Sequence, residues 1–164
     1  MATITLQFST SHDLDSWIIR NFQRAWCTHV DYALDDGQLL GARIDGGVQI
    51  RPPDYMKFTR TERVNITVPY YVETAFSNFM KDQVGKPYDW IAIVSFLCVV
   101  ACNRDWRTPG AWFCSELVAA GFEHAGLVRK LAPTINRLTV RDAYLLVGAI
   151  APVSGDDDDW VLAA

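Results

Sequence analysis

The sequence predicts an α+β fold in a single domain, and three observations carry that reading. Segments with strand-like alternation cluster before residue 69, and segments with helical spacing dominate after it. Half of the 164 residues are apolar and only 21% are charged, which suits a globular chain with a real core. The net charge of −4 is matched by the acidic run at 156–159, so the rest of the chain is neutral. A neutral body without a basic run argues against electrostatic binding of nucleic acid.

Taken in order, "TITLQFS" alternates and is rich in β-branched residues, so it reads as a strand. "DSWIIRNFQRAW" has helical spacing in Trp17, Ile18, Phe22 and Trp26, with Asp13 or Asp15 able to cap it. "CTHVDYAL", "DDG" and "QLLGARI" form a hairpin signal, and "GVQIRP" and "RTERVNITV" read as two further strands. Pro69 suits the first turn of a helix whose apolar face is Val72, Phe76, Phe79 and Met80, with Gly85 ending it. "GKPYD" is a turn. The apolar run at 90–102 is too short to span a bilayer comfortably and reads as a buried helix. A loop leads to Cys114, after which Leu117, Val118, Gly121, Phe122 and Ala125 share one helical face, with Gly126 as the stop. "TVRDAYLLV" predicts a last short helix. The domain is expected over 1–152, followed by an acidic tail at 153–164.

The start of the chain has neither a basic nor a long apolar region, so no signal peptide is predicted and synthesis in the cytoplasm is expected. The four cysteines, Cys27, Cys98, Cys102 and Cys114, are then expected to be reduced thiols. Cys98 and Cys102 lie one helical turn apart and read as core packing, since no histidine cluster accompanies them to complete a zinc site.

Cys114 is the residue with chemical promise. A thiol at a helix N-terminus lies near unpaired backbone N–H groups and the positive end of the helix dipole, which favour thiolate. It also needs a base, for which imidazole is the usual choice. Of three histidines, His12 lies in a polar turn and His124 is nearly three turns along the same helix. His29 lies in a strand, from which a ring can be aimed. The plain alternative is a small packing cysteine and a structural histidine.

"GKPYDW…WFCSELVAAGFEHAG" resembles the cysteine half of the NlpC-type papain-like hydrolases. "THVDYALDDGQLLGA" looks like the histidine hairpin of their circularly permuted branch, in which histidine precedes cysteine. That branch includes YiiX-like amidases, small phage-encoded proteins and lecithin:retinol acyltransferase relatives. The resemblance spans roughly residues 5 to 130. It implies a permuted papain-like fold with a small antiparallel sheet packed against helices and the nucleophile at a helix N-terminus. It assigns Cys114 as nucleophile and His29 as general base, with no metal and no cofactor. Tyr88, which matches the tyrosine of the family's turn, and Ser115 are the candidates for oxyanion or substrate contact. The permuted relatives carry a polar third residue on the strand after the histidine strand, and the matching position here is Gly41. The chain departs from the pattern there. Either a Cys–His dyad operates, or Asp31, Asp45, Gln49, a backbone carbonyl or water holds the ring, or the protein is a non-catalytic module.

The resemblance implies a cysteine amidase or endopeptidase, with peptidoglycan stem peptide the favoured substrate. Phage tail or lysis partners, or a secretion apparatus, would then deliver it to the cell wall. A lipid-directed acyltransferase or thioesterase of the same fold is the alternative enzyme.

Overall fold

The computed structural model describes residues 1–12, 24–89, 110–129 and 138–151. The helix expected at 15–26 falls almost wholly outside these residues. So do the apolar segment at 90–102 with Cys98 and Cys102, most of the loop that follows it, and the acidic tail.

Five strands alternate as the sequence requires: β1 Ala2–Thr10, β2 His29–Ala33, β3 Leu39–Arg43, β4 Gly47–Arg51 and β5 Arg60–Val68. They form one antiparallel sheet in the order β4-β3-β2-β1-β5. The β1–β2 register sets Leu6 against Tyr32, Gln7 against Asp31, Phe8 against Val30 and Ser9 against His29. Because successive side chains point to opposite faces, this register sorts the sheet into two sets. Ile4, Leu6, Phe8, Val30, Tyr32, Leu40, Val48 and Ile66 share one face and join a single apolar cluster. Gln7, Ser9, His29, Asp31, Gly41 and Arg51 share the other.

Three helices follow among the described residues: α1 Tyr70–Asp82, α2 Cys114–His124 and α3 Val140–Ile150. Pro69 stands one place earlier than expected, as the N-cap of α1. Its missing N–H costs nothing there, because the first helical N–H groups have no intrahelical acceptor. Val72, Phe76 and Met80 are buried along α1, while Phe79 is only half-buried. Phe76 meets Tyr32 of the sheet edge-on at 5.1 Å and Phe122 of α2 at 5.2 Å. The helices approach closely at Gly121, where an added Cβ would lie 2.7 Å from the Phe76 ring. α3 begins with a capping box in which Thr139 and Asp142 satisfy each other's backbone N–H groups. Its Tyr144 packs edge-on against Phe8 at 5.0 Å. The helices thus cover the apolar face of the sheet.

Candidate active site

Two elements deliver the principal side chains. α2 starts at Cys114 itself, after an extended Phe113 that offers no side-chain cap. The first intrahelical bond runs from Leu117 N–H to the Phe113 carbonyl, 3.0 Å, so the N–H groups of Cys114 and Ser115 precede it. The thiol therefore sits at the positive end of an eleven-residue helix. β2 starts at His29, the end of a strand held in the middle of the sheet.

The structure brings these two residues together: the Cys114 thiol lies near enough to the His29 ring to favour its charged form. Both are shielded, with exposures of 4% for Cys114 and 9% for His29. On its other side, the His29 ring bonds through Nε2 to Asp31 Oδ1 at 2.8 Å. Nδ1 is thereby the nitrogen left to serve the thiol. Asp31 is completely buried, and its second oxygen accepts a hydrogen bond from the Tyr55 hydroxyl at 3.0 Å.

Burial alone would push the His29 pKa down. The negative charge of Asp31 first, and then Cys114, outweigh that effect and raise it from 6.5 to about 10. The ring is held as imidazolium through neutral pH. Cys27 lies in the same apolar cluster as Cys114, and burial pushes its own thiol up to about 11.

Gly41 takes on a different meaning in three dimensions. A Cβ built on it would collide with Asp31 Oδ1 and lie 3.0 Å from Asp31 Cγ. The space above Gly41 is filled by the Asp31 carboxylate from the neighbouring strand. Of the three candidates for orienting the ring, only Asp31 reaches it. Asp45 is exposed and engages Arg43 at 3.1 Å, because the β3–β4 turn points it away from β2. Gln49 lies opposite Gly41 in register but is exposed on β4, two strands from His29.

The Ser115 hydroxyl is engaged elsewhere, while its backbone N–H remains at the start of α2. The residue is fully buried, and its hydroxyl donates to the Leu138 carbonyl at 2.6 Å, tying α2 to the entry of α3. Tyr88 pairs its backbone with Trp112 in an isolated parallel bridge, two residues before Cys114. Asp89 N–H to Trp112 O at 3.0 Å and Trp112 N–H to Pro87 O at 3.1 Å complete that bridge. The turn motif and the cysteine motif are thus stitched side by side, with the Tyr88 ring half-buried against the core. His12 is exposed, and His124 stacks on Phe79 at 5.0 Å. Tyr55 escaped the sequence reading. A tyrosine in the "RPPDYMKF" loop carries no periodicity, and only the fold sets it over Asp31.

The five-stranded antiparallel sheet with helices on its apolar face makes the chain an α+β fold, and its architecture is YiiX-like. Among solved structures, it is similar to the metalloprotein YiiX from Escherichia coli O157:H7. The TM-score is 0.58 at 16% identity, over 87% of this chain and 81% of that one. At that identity the likeness is one of fold. No family model and no curated protein matches the sequence. Among the described residues, no group of three or more His, Cys, Asp and Glu is arranged to hold a metal ion. No helix among the described residues is long and apolar enough to cross a membrane.

Proposed function

We propose that the protein is a cysteine hydrolase of the permuted papain-like type, acting through a thioester. The observation that carries this is the chain of contacts from Cys114 at a helix N-terminus to His29 and on to the buried carboxylate of Asp31. Each member has the neighbour its role needs. The Cys114 thiolate attacks the carbonyl carbon of an amide, and the carbonyl π electrons move to oxygen. Backbone N–H groups at the start of α2, with Tyr88 beside them, are the candidates for meeting that oxyanion. The tetrahedral adduct collapses as His29 gives its proton to the departing amine, leaving a thioester on Cys114. Water then gives a proton to His29 and its hydroxyl to the acyl carbon, which releases the acid and restores the thiolate–imidazolium pair. Asp31 keeps the ring aligned throughout. The absent side chain at Gly41 was the ground for a non-catalytic module, and an orienting carboxylate supplied from β2 favours an enzyme instead.

Peptidoglycan stem peptide remains the favoured substrate class on the resemblance, with delivery by phage tail, lysis or secretion partners. The test uses wild type and Cys114→Ser on purified peptidoglycan fragments, with thioesters and phospholipids in parallel. Wild type should release free amine from the peptide. Cys114→Ser should fold and lose at least about a thousandfold in turnover, because a serine beside histidine is a far weaker nucleophile here. Fatty-acyl release alone would move the assignment to the lipid-directed acyltransferases. Iodoacetamide should also alkylate Cys114 well ahead of Cys27. Equal rates for the two native thiols would sink the idea of an activated cysteine.

A further inference from the structure

We propose that Tyr55 is a positioning residue for the Cys114–His29 pair, its hydroxyl fixing Asp31 in the orientation that aligns the imidazole. This rests on the cysteine-hydrolase reading above and identifies what holds that site in register.

The need for such a residue follows from strand geometry. His29 and Asp31 are two apart on β2, so their side chains leave the same face roughly 7 Å apart along the strand. An aspartate has a short side chain and must lean along the strand to reach the ring. Gly41 supplies the room for that lean, but room does not hold a carboxylate in place. The second oxygen, Oδ2, is where a restraint can act, and the Tyr55 hydroxyl donates to it at 3.0 Å.

Tyr55 is itself anchored on several sides. Its N–H closes a turn onto the Pro52 carbonyl at 3.1 Å, and its ring meets Phe58 edge-on at 5.3 Å. The guanidinium carbons of Arg43 and Arg51 lie 5.3 and 5.5 Å from the ring centroid, within cation–π range. Both arginines are fixed in turn. Arg51 donates to the carbonyls of Gly41 at 3.1 Å and Gly47 at 3.2 Å, and Arg43 donates to Asp45 and to the Met56 sulfur. Arg51 therefore grips the backbone of the same glycine whose missing side chain makes space for Asp31. Burial first, and then the charge of Asp31, push the Tyr55 hydroxyl well above its ordinary range, so it stays a donor wherever the site could operate. The charged and titratable groups around this chain are Asp31 and His29 from β2, Cys114 from α2, Arg43 from β3, Arg51 from β4, and Asp45 from the β3–β4 turn.

A tyrosine that merely fills the loop would matter for stability and not for the thiol. The experiment measures the iodoacetamide alkylation rate of Cys114 from pH 5 to 10. It compares wild type, Tyr55→Phe, Asp31→Asn, the double variant and His29→Ala, with thermal melts alongside. Tyr55→Phe keeps the ring, its packing and its place beside the two guanidinium groups, and removes the hydroxyl with its bonds to Asp31 and Arg43. It should slow alkylation at pH 7 by about fivefold, the scale of one lost hydrogen bond, and shift the acid limb to higher pH. In the Asp31→Asn background the same change should add nothing, since the partner it acts through is altered. A wild-type profile for Tyr55→Phe beside a shifted Asp31→Asn overturns the proposal, as does strict additivity of the two. If His29→Ala and Asp31→Asn also follow wild type, the Cys114–His29 reading itself has failed, and the role of Tyr55 falls with it.

Discussion

The two faces of the sheet are built on opposite principles. The apolar face is held mainly by burial: Leu6, Phe8, Val30 and Tyr32 join one cluster with Phe76 and Phe122, Tyr144 packs on Phe8, and only tyrosine hydroxyls at its margin add hydrogen bonds. The other face is equally dry at its centre, yet Gln7, Ser9, His29, Asp31 and Arg51 are all buried there. Buried polar groups are costly unless they are bonded; the Ser9 hydroxyl has no partner, whereas around His29 the groups form a directed chain through Asp31 and Tyr55. Cys114 belongs to the apolar cluster and His29 to the polar set, so the candidate site lies where the two layers meet. Packing tolerates small displacements, but an aligned chain of hydrogen bonds does not. The polar face should therefore be sensitive to changes that remove no functional group at all.

Gly41→Ala is the sharpest test of that difference after the loss of the thiol itself. Gly41 does not occupy the left-handed region, so alanine fits its backbone. The new methyl, however, takes the place of Asp31 Oδ1. The expected outcome is a loss of turnover of about a hundredfold, the upper range for displacing an outer partner of a reacting histidine. Asp31→Ala should have an effect of similar size. Joining Asp31→Ala to Gly41→Glu returns the orienting carboxylate to β3 and should recover part of the loss. Wild-type activity in Gly41→Ala would mean that the Asp31 lean is incidental.

The electrostatics of the polar face give a smaller effect with a defined sign. The folded-state pKa of His29 is raised from 6.5 to about 10 by Asp31 and Cys114, which together outweigh burial. A raised histidine contributes stability in full below about pH 6.5, and that contribution is lost as pH rises toward 10. Turnover should fall over the alkaline end of the same window, because the proton owed to the leaving amine is then gone. Asp31→Asn keeps a hydrogen-bonding side chain but removes the charge. It should move the alkaline limb to lower pH, lower turnover at pH 8 by about tenfold, and flatten melting temperature against pH. An unmoved limb in this variant would assign the titration to another group.

How far the sequence revealed each face follows from the same contrast. Alternation and helical spacing place every described strand and helix, because burial on one face imposes a period on the chain. Cys114 and His29 are legible for a related reason: each opens an element, and the turn and hairpin motifs around them are local. The third member was not. Asp31, Asp45 and Gln49 look equivalent as polar residues near a histidine hairpin, and the choice among them depends on a void above Gly41 and a lean along β2. The partner of the Ser115 hydroxyl was not legible either, because it is a carbonyl 23 residues further on. Tyr55 was missed because a loop residue that closes over a sheet leaves no periodic trace.

Gly121→Ala probes the apolar face with the same chemical change that Gly41→Ala makes on the polar one. Its added methyl would lie 2.7 Å from Phe76 Cε2 and 3.3 Å from the Met80 sulfur, so α1 and α2 must shift apart or Phe76 must leave its favoured position. Overpacking of this kind costs roughly 1–3 kcal/mol. Alanine returns about 1 kcal/mol through its higher helix propensity. The net loss is thus about 0–2 kcal/mol, a fall in Tm of a few degrees for a chain of this size. Turnover at 25 °C and the pH profile of Cys114 alkylation should match wild type, because neither Phe76 nor Met80 touches the chain from Tyr55 to Cys114. Paired melts and alkylation profiles of the two glycine variants measure the comparison directly. Gly121→Ala should change mainly the melt, and Gly41→Ala mainly the profile. If Gly121→Ala moved the profile as far as Gly41→Ala does, α2 would be transmitting core strain to Cys114, and the two faces would have to be treated as one mechanical unit.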